Sequence, residues 1–325
     1  KKTFTAGEAN KTVQIKLEKA PDSTLKDIEL PTDWPLFRKN DENNGVVDVR
    51  TPITAEDTVL VWANKLGEGY SGSAVGSPII VGGYLYTYSG TTIMKVDKET
   101  GLILKTGTMV GGSSFAINSA TYAEGMIFIG LANGRVQAFN AETLESLWVY
   151  QDALGGQPNC PIAYADGYIY TGFWNSETKQ ANFACLSVTD EDATKTNEAK
   201  LPTWTYTHNG FYWAGAYVNS DFVLVTTDDG AQGYTKGYGS ILSLNPKTGK
   251  LIDSLQATNV GDLRSSVCYD EETEAYYFTS KGGDLYQVKV NADGTFTKGS
   301  LRRLHLDNGT DSASAPTMST STPVI

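Results

Sequence analysis

One short pattern is rewritten along the chain. Gly83-Tyr84-Leu85-Tyr86 returns as Gly125-Met126-Ile127-Phe128 and Gly167-Tyr168-Ile169-Tyr170, then more loosely as Asp221-Phe222-Val223-Leu224 and Ala275-Tyr276-Tyr277-Phe278. Its second residues fall at 84, 126, 168, 222 and 276, two intervals of 42 followed by two of 54. A period of roughly 40–50 residues in an all-strand chain is the period of propeller blades. The pattern therefore predicts an all-β propeller built from four-stranded blades.

The strands of the first blade are read at 77–81, 84–88, 92–96 and 102–106, with Asp97-Lys98-Glu99-Thr100-Gly101 as the turn before the outer strand. Polar residues and glycine permit the tight geometry of that turn. It recurs as Asn140-Ala141-Glu142-Thr143-Leu144, Asn245-Pro246-Lys247-Thr248-Gly249 and Asn291-Ala292-Asp293-Gly294. Inner strands recur at 116–122, 161–164, 214–218 and 266–269. An earlier strand is read at 58–64, where Trp62 is placed as Trp148 and Trp204 are in outer strands. A ring must hide its sheet edges, so this N-terminal strand is expected to complete the last blade. Thr322-Pro323-Val324-Ile325 matches Ser77-Pro78-Ile79-Ile80 as the start of a sixth blade. Five blades are thus seen in full, and six or more are expected in the intact protein.

Residues 1–30 read differently. Val13, Ile15 and Leu17 alternate with polar residues as in a half-exposed antiparallel strand. This stretch reads as the tail of a preceding β-sandwich-like domain with its linker, or else as an extension packed on the propeller. Asp33-Trp34-Pro35-Leu36-Phe37-Arg38 is an irregular lead-in. The propeller is assigned to 31–325 and expected to be truncated at its C-terminal end, with other domains of the same longer chain beside it.

The 26 basic and 37 acidic residues give a net charge of -11, which repels nucleic acid and anionic lipid heads. No apolar run of about 18 residues exists to enter a bilayer. Cys160 and Cys185 are placed on the first and third strands of one blade. At ~4.8 Å per strand spacing they are too far apart for a disulfide. Free, buried thiols are expected at both and at Cys268.

Titratable groups that could converge on a reaction are scarce. His208 and His305 lack ligand spacing to another His or Cys, so no metal is assigned. Asp228-Asp229-Gly230 and Asp307-Asn308-Gly309 do not continue into calcium loops. Gly111-Gly112 and Gly282-Gly283 are turns with no helix after them to cradle phosphate. The acidic insertion 189–200 reads as a solvated loop.

One constellation stands out. Outer-to-inner connections and second-to-third-strand connections open on the same face of a propeller. Phe173-Trp174-Asn175, the run from His208 to Trp213, and the loop holding Tyr234 and Tyr238 all fall on that face. Flat rings beside Asn, Gln and Asp suit stacking on sugar rings or apolar side chains. Trp174, His208, Tyr212, Trp213, Tyr234 and Tyr238 are therefore the candidate ligand-binding residues, the alternative being that several of these rings fill space between blades.

An inner Ser/Thr-Pro-apolar strand, a Gly-aromatic-apolar-aromatic strand and an Asp/Asn-x-x-Thr-Gly turn together resemble the repeat of quinoprotein-like propellers, the pyrroloquinoline quinone (PQQ) repeat family. The resemblance covers 33–325 and includes the Asp33-Trp34-Pro35-Leu36-Phe37-Arg38 lead-in. It implies either a quinone-dependent alcohol or sugar dehydrogenase or a propeller that binds no quinone and serves in a bacterial envelope. The dehydrogenases resemble one another in an adjacent-cysteine disulfide, a Trp stacking platform, and calcium-binding Glu and Asn near a catalytic Asp. No two cysteines are adjacent here. The docking pattern Ala-x-Asp-x-x-Thr-Gly-x-x-x-Trp is best kept at Ala138, Thr143 and Trp148, with Asn140 and Leu144 in place of Asp and Gly.

These departures favour a non-catalytic, secreted or cell-surface bacterial propeller without cofactor, recognising a glycan or protein through its aromatic face. The alternatives are a quinoprotein dehydrogenase and a purely architectural module of a larger surface protein.

Overall fold

A computed structural model describes residues 33–40, 43, 45, 47, 52–67, 74–113, 118–176, 179–228, 237–258, 261–306 and 319–324. The readings made on residues 1–30, Tyr234 and Ile325 lie outside the described residues. The only described helix is the single turn Ala55–Asp57, and no described helix is long and apolar enough to cross a membrane.

Among the described residues five sheets follow one another along the chain, antiparallel but for one strand added to the edge of the second. Sheet one holds β1 (Ile79–Val81), β2 (Tyr84–Ser89), β3 (Thr92–Asp97) and β4 (Ile103–Thr108). Sheet two holds β5 (Thr121–Ala123), β6 (Met126–Leu131), β7 (Arg135–Asn140) and β8 (Ser146–Gln151). Sheet three holds β9 (Ala163–Ala165), β10 (Tyr168–Gly172), β11 (Ala181–Ser187) and, beyond the intervening β12 (Glu198–Lys200), β13 (Trp204–His208). Sheet four holds β14 (Tyr217–Val218), β15 (Val223–Thr226), β16 (Tyr238–Leu244) and β17 (Leu251–Thr258). Sheet five holds β18 (Cys268–Asp270), β19 (Ala275–Thr279), β20 (Asp284–Val288) and β21 (Arg302–His305). The inner strands β1, β5, β9 and β14 are successive neighbours. This is the arrangement of propeller blades, with the core lying in the seams between them.

The turn before each outer strand is built as its residues require. Asp97, Asn140 and Asn245 each turn a side-chain oxygen back onto the backbone N–H groups two and three residues on. The residue closing the turn takes a left-handed backbone at Gly101 (φ 72) and Gly249 (φ 67), and Leu144 keeps that conformation with φ 59 although it carries a side chain.

In blades one to four the second residue of the turn after the third strand, which is Val188 in blade three, offers its carbonyl across the seam to an aromatic donor. Trp148 Nε1 reaches Val188 O at 3.4 Å, Trp204 Nε1 reaches Pro246 O at 2.8 Å, and Tyr86 OH reaches Ala141 O at 3.0 Å. Trp62 Nε1 completes the series on Lys98 O at 2.9 Å. Residues 58–64 thus occupy the place of an outer strand ahead of blade one, but they form no ladder, and Val59, Leu60 and Val61 are exposed. In place of the strand expected there is an irregular segment tethered by the Trp62 indole and by Asn64 Nδ2, which donates to Gly101 O at 3.1 Å, because no described neighbour offers it an edge.

Residues 319–324 stand at the other side. Ser266 N donates to Thr322 Oγ1 at 3.0 Å, as Gly215 N donates to Ser266 Oγ at 3.0 Å one blade earlier. The lead-in crosses the lower ends of the inner strands. Trp34 pairs with Ile80, Tyr122 N donates to Pro35 O, Asn43 Nδ2 donates to Val267 O, and Arg38 Nη2 to Thr322 O.

Two further readings need correction. The insertion 189–200 is not simply solvated: β12 adds to the outer edge of sheet two, parallel to β8, and Lys200 is buried there. Blade five does not turn directly into its outer strand. A bridge between Val290 and Phe296 prolongs the Asn291-Ala292-Asp293-Gly294 hairpin, and β21 begins only at Arg302. Cys160, Cys185 and Cys268 are free and buried, as expected.

Candidate functional site

The loops on the upper face of blades three to five converge on three rings. Trp174 follows β10, and Tyr212 and Trp213 follow β13. The Trp174 and Tyr212 ring centroids lie 4.7 Å apart, and those of Tyr212 and Trp213 lie 4.3 Å apart. Gly210 (φ 130) allows this approach, since a Cβ there would meet Trp174 Cδ1 at 3.0 Å.

Beneath the rings lies a buried charge cluster that sequence reading missed. Arg264 donates from Nε and Nη2 to Asp228 at 3.2 and 2.8 Å, and its Nη2 lies 2.7 Å from Asp262 Oδ2. Both carboxylates are fully buried and the guanidinium nearly so. Asp228 also accepts the Trp174 indole N–H at 2.7 Å. The guanidinium stacks 4.7 Å from the Tyr212 centroid, and Lys281 Nζ sits 5.8 Å from that of Trp213. Arg264 thus ties the carboxylates to the aromatic rings.

Trp213 is 38% exposed and has φ 60. A bulky residue in the left-handed region is strained by about 1–3 kcal/mol and persists only where its surroundings hold it. Here Tyr212 on one side and Lys281 on the other do so.

The remaining candidates fall elsewhere. His208 stacks on Tyr206 at 6.3 Å and approaches Phe211 at 6.5 Å, inside the blade. Its Nδ1 is buried without a hydrogen-bond partner among the described residues, and burial pushes its pKa down. Tyr238 opens β16 and makes no ring contact with the cluster among the described residues. The geometry therefore brings Trp174, Tyr212 and Trp213 together and leaves His208 and Tyr238 apart.

The described residues of this site do not fit a quinone held with calcium. Both buried carboxylates already face Arg264, so they are not open to a cation, and the described residues hold no group of three metal-ligating side chains. Trp174 is packed against Tyr212 and Arg264 instead of offering a free platform.

The sequence matches the family described as outer membrane protein assembly factor BamB over residues 48–177. No curated protein matches the chain. Among solved structures it is similar to a europium-containing methanol dehydrogenase, with TM-score 0.62 and 15% identity over 85% of this chain and 59% of that one. A quinohemoprotein alcohol dehydrogenase from Comamonas testosteroni superposes with TM-score 0.63 and 14% identity, over 90% of this chain and 51% of that one. The computationally designed Ika8 protein superposes with TM-score 0.51 and 11% identity, over 76% of this chain and 64% of that one. Identities this low speak for the fold alone, and the chain spans less than two thirds of each of these proteins.

Proposed function

We propose, for a chain that is a β-propeller of the PQQ-like repeat family, a non-catalytic role: capture of a saccharide on the upper face of blades three to five, in a secreted or surface-attached protein. The observation that carries this reading is the exposed Trp213 ring, held at φ 60 beside Tyr212 and above a buried Arg–carboxylate cluster. A rigid, half-exposed pair of rings loses little conformational entropy when a sugar face stacks on it. The buried ammonium of Lys281, 5.8 Å from the Trp213 centroid, helps to hold that ring in place.

The rigid base also separates this reading from an inter-blade filler role, because a filler ring would be buried as Trp148 and Trp204 are. The test is a panel of soluble and insoluble polysaccharides against the wild type and Trp213→Ala, with circular dichroism to show that the variant is folded. Loss of a wild-type hit in the folded variant supports the site. Undiminished binding by Trp213→Ala, or a panel without any hit, counts against it.

A further inference from the structure

On the opposite face, the seams between blades carry a recurring device. In the first seam, Lys95 is buried with Nζ 2.6 Å from Glu142 Oε2 of the next blade's turn. Its ammonium lies 4.2 Å from the Tyr84 centroid and 5.9 Å from that of Tyr86. In the second seam, Lys200 of β12 is buried with Nζ 2.5 Å from Glu191 and 5.3 Å from the Trp148 centroid. Each seam thus holds an ammonium against aromatic rings and neutralises it with a carboxylate of the following blade.

The third seam keeps the two tyrosines and lacks the lysine; Trp204 packs 6.0 Å from the buried Tyr170, and Tyr168 stays exposed. Sheet register makes Tyr170 opposite Cys185 the counterpart of Tyr86 opposite Lys95, so Tyr168 and Tyr170 repeat Tyr84 and Tyr86 while Cys185 replaces the lysine. The Glu142 position of the turn is Lys247 here, since Asn245 caps it as Asn140 caps Glu142. On the blade-three side, Asp166 stands where blade one has Gly82. A cleft of about 200 Å³ opens at this place, lined by Asp166, Tyr168, Tyr170, Thr203, Asn219 and Lys247. Neither the Asp166 carboxylate nor the Lys247 ammonium has an ion-pair partner among the described residues.

We propose that this cleft binds a small zwitterion of the amino-acid type. Its ammonium sits over the exposed Tyr168 ring and beside Asp166, as Lys95 sits over Tyr84 in the first seam, and its carboxylate pairs with Lys247. A purely anionic ligand would meet Asp166, and a purely cationic one would meet Lys247. A dipolar molecule satisfies both walls, and a few convergent polar groups in a small cleft lined by rings suit a ligand of this size.

The experiment is isothermal titration of the intact protein with ω-amino acids from glycine to 6-aminohexanoate, with propylamine and propionate as single-charge controls. Saturable binding of at least one member, absent for both controls, is expected. Asp166→Asn and Lys247→Gln, both at exposed positions, should each weaken it by about tenfold or more, as loss of a charge-assisted contact does. Cys185→Lys should abolish it by placing a lysine over Tyr168, as Lys95 sits over Tyr84, whereas Trp213→Ala should leave it intact. Silence across the series overturns the proposal. So does binding of a single-charge control with equal affinity, or indifference to both Asp166→Asn and Lys247→Gln.

Discussion

Arg264→Met tests whether the charge cluster holds up the aromatic face. The substitution keeps the volume of the side-chain stem and removes a guanidinium that bridges two fully buried carboxylates. Removing one partner from a buried ion pair costs about 3–5 kcal/mol, because the other charge stays buried without compensation. Loss of the cation stacked 4.7 Å from Tyr212 adds about 1 kcal/mol. The total, about 4–6 kcal/mol, is a large part of the 5–15 kcal/mol that typically separates folded from unfolded protein. At roughly 2–4 °C per kcal/mol it lowers Tm by about 10–20 °C. Urea unfolding and calorimetry read this directly.

The decisive control is the triple variant Arg264→Met with Asp228→Asn and Asp262→Asn. Neutralising both carboxylates removes the uncompensated buried charge that makes a broken ionic cluster costly, so at least half of the lost stability should return. A loss below about 1 kcal/mol in Arg264→Met, or a triple variant no more stable than the single one, would refute the reasoning.

Three other outcomes are expected. Gly101→Ala and Gly249→Ala should each cost about 2 kcal/mol or more, since the new Cβ would lie 2.5 Å from the Trp62 or Trp204 ring at a left-handed φ; Gly82→Ala, with the same φ sign and open space, should cost only about 1 kcal/mol in chemical denaturation. Burial holds His208 below its ordinary 6.5, so as pH falls the unfolded chain takes up the proton first, and stability declines between 6.5 and the lower folded value. His208→Phe should flatten that part of the pH–stability curve, and an unchanged slope would show that the decline arises elsewhere. Burial pushes Cys160 and Cys185 up to about 12 and Cys268 to about 11, so native protein at mildly alkaline pH should resist alkylation and unfolded protein should take up all three equivalents; rapid native labelling would contradict the buried placement.

The architecture was legible because each blade repeats the same local instructions. The Gly-aromatic-apolar-aromatic strand and the Asp/Asn-x-x-Thr-Gly turn specify a strand and its exit, and the structure places both where those residues occur. Residues 58–64 misled because a short run of β-branched and aromatic residues states a preference for extended backbone, whereas a ladder needs a neighbouring edge. The three rings of the upper face could be grouped from strand order alone, since the order decides which loops share a face. Arg264 could not be foreseen: Asp262-Leu263-Arg264 carries no spacing signal, and only packing reveals that two carboxylates from different loops meet one guanidinium.

The third seam shows where information beyond the fold resides. Cys185 reads as an ordinary buried strand residue until pairing aligns it with Lys95 and Ala138, each facing the next blade from the third strand. Ala138 loses the lysine as Cys185 does, yet that seam is refilled by Lys200 from β12. The insertion in blade three therefore compensates blade two, and among the described residues no lysine replaces the one missing at Cys185, where Trp204 packs beside Tyr170 and leaves Tyr168 exposed. A departure from the repeat opens a site only when nothing else in the chain fills the space it leaves. By that criterion Leu144, which departs from glycine and is itself buried, should be silent in binding, while Cys185 and Lys247 should not.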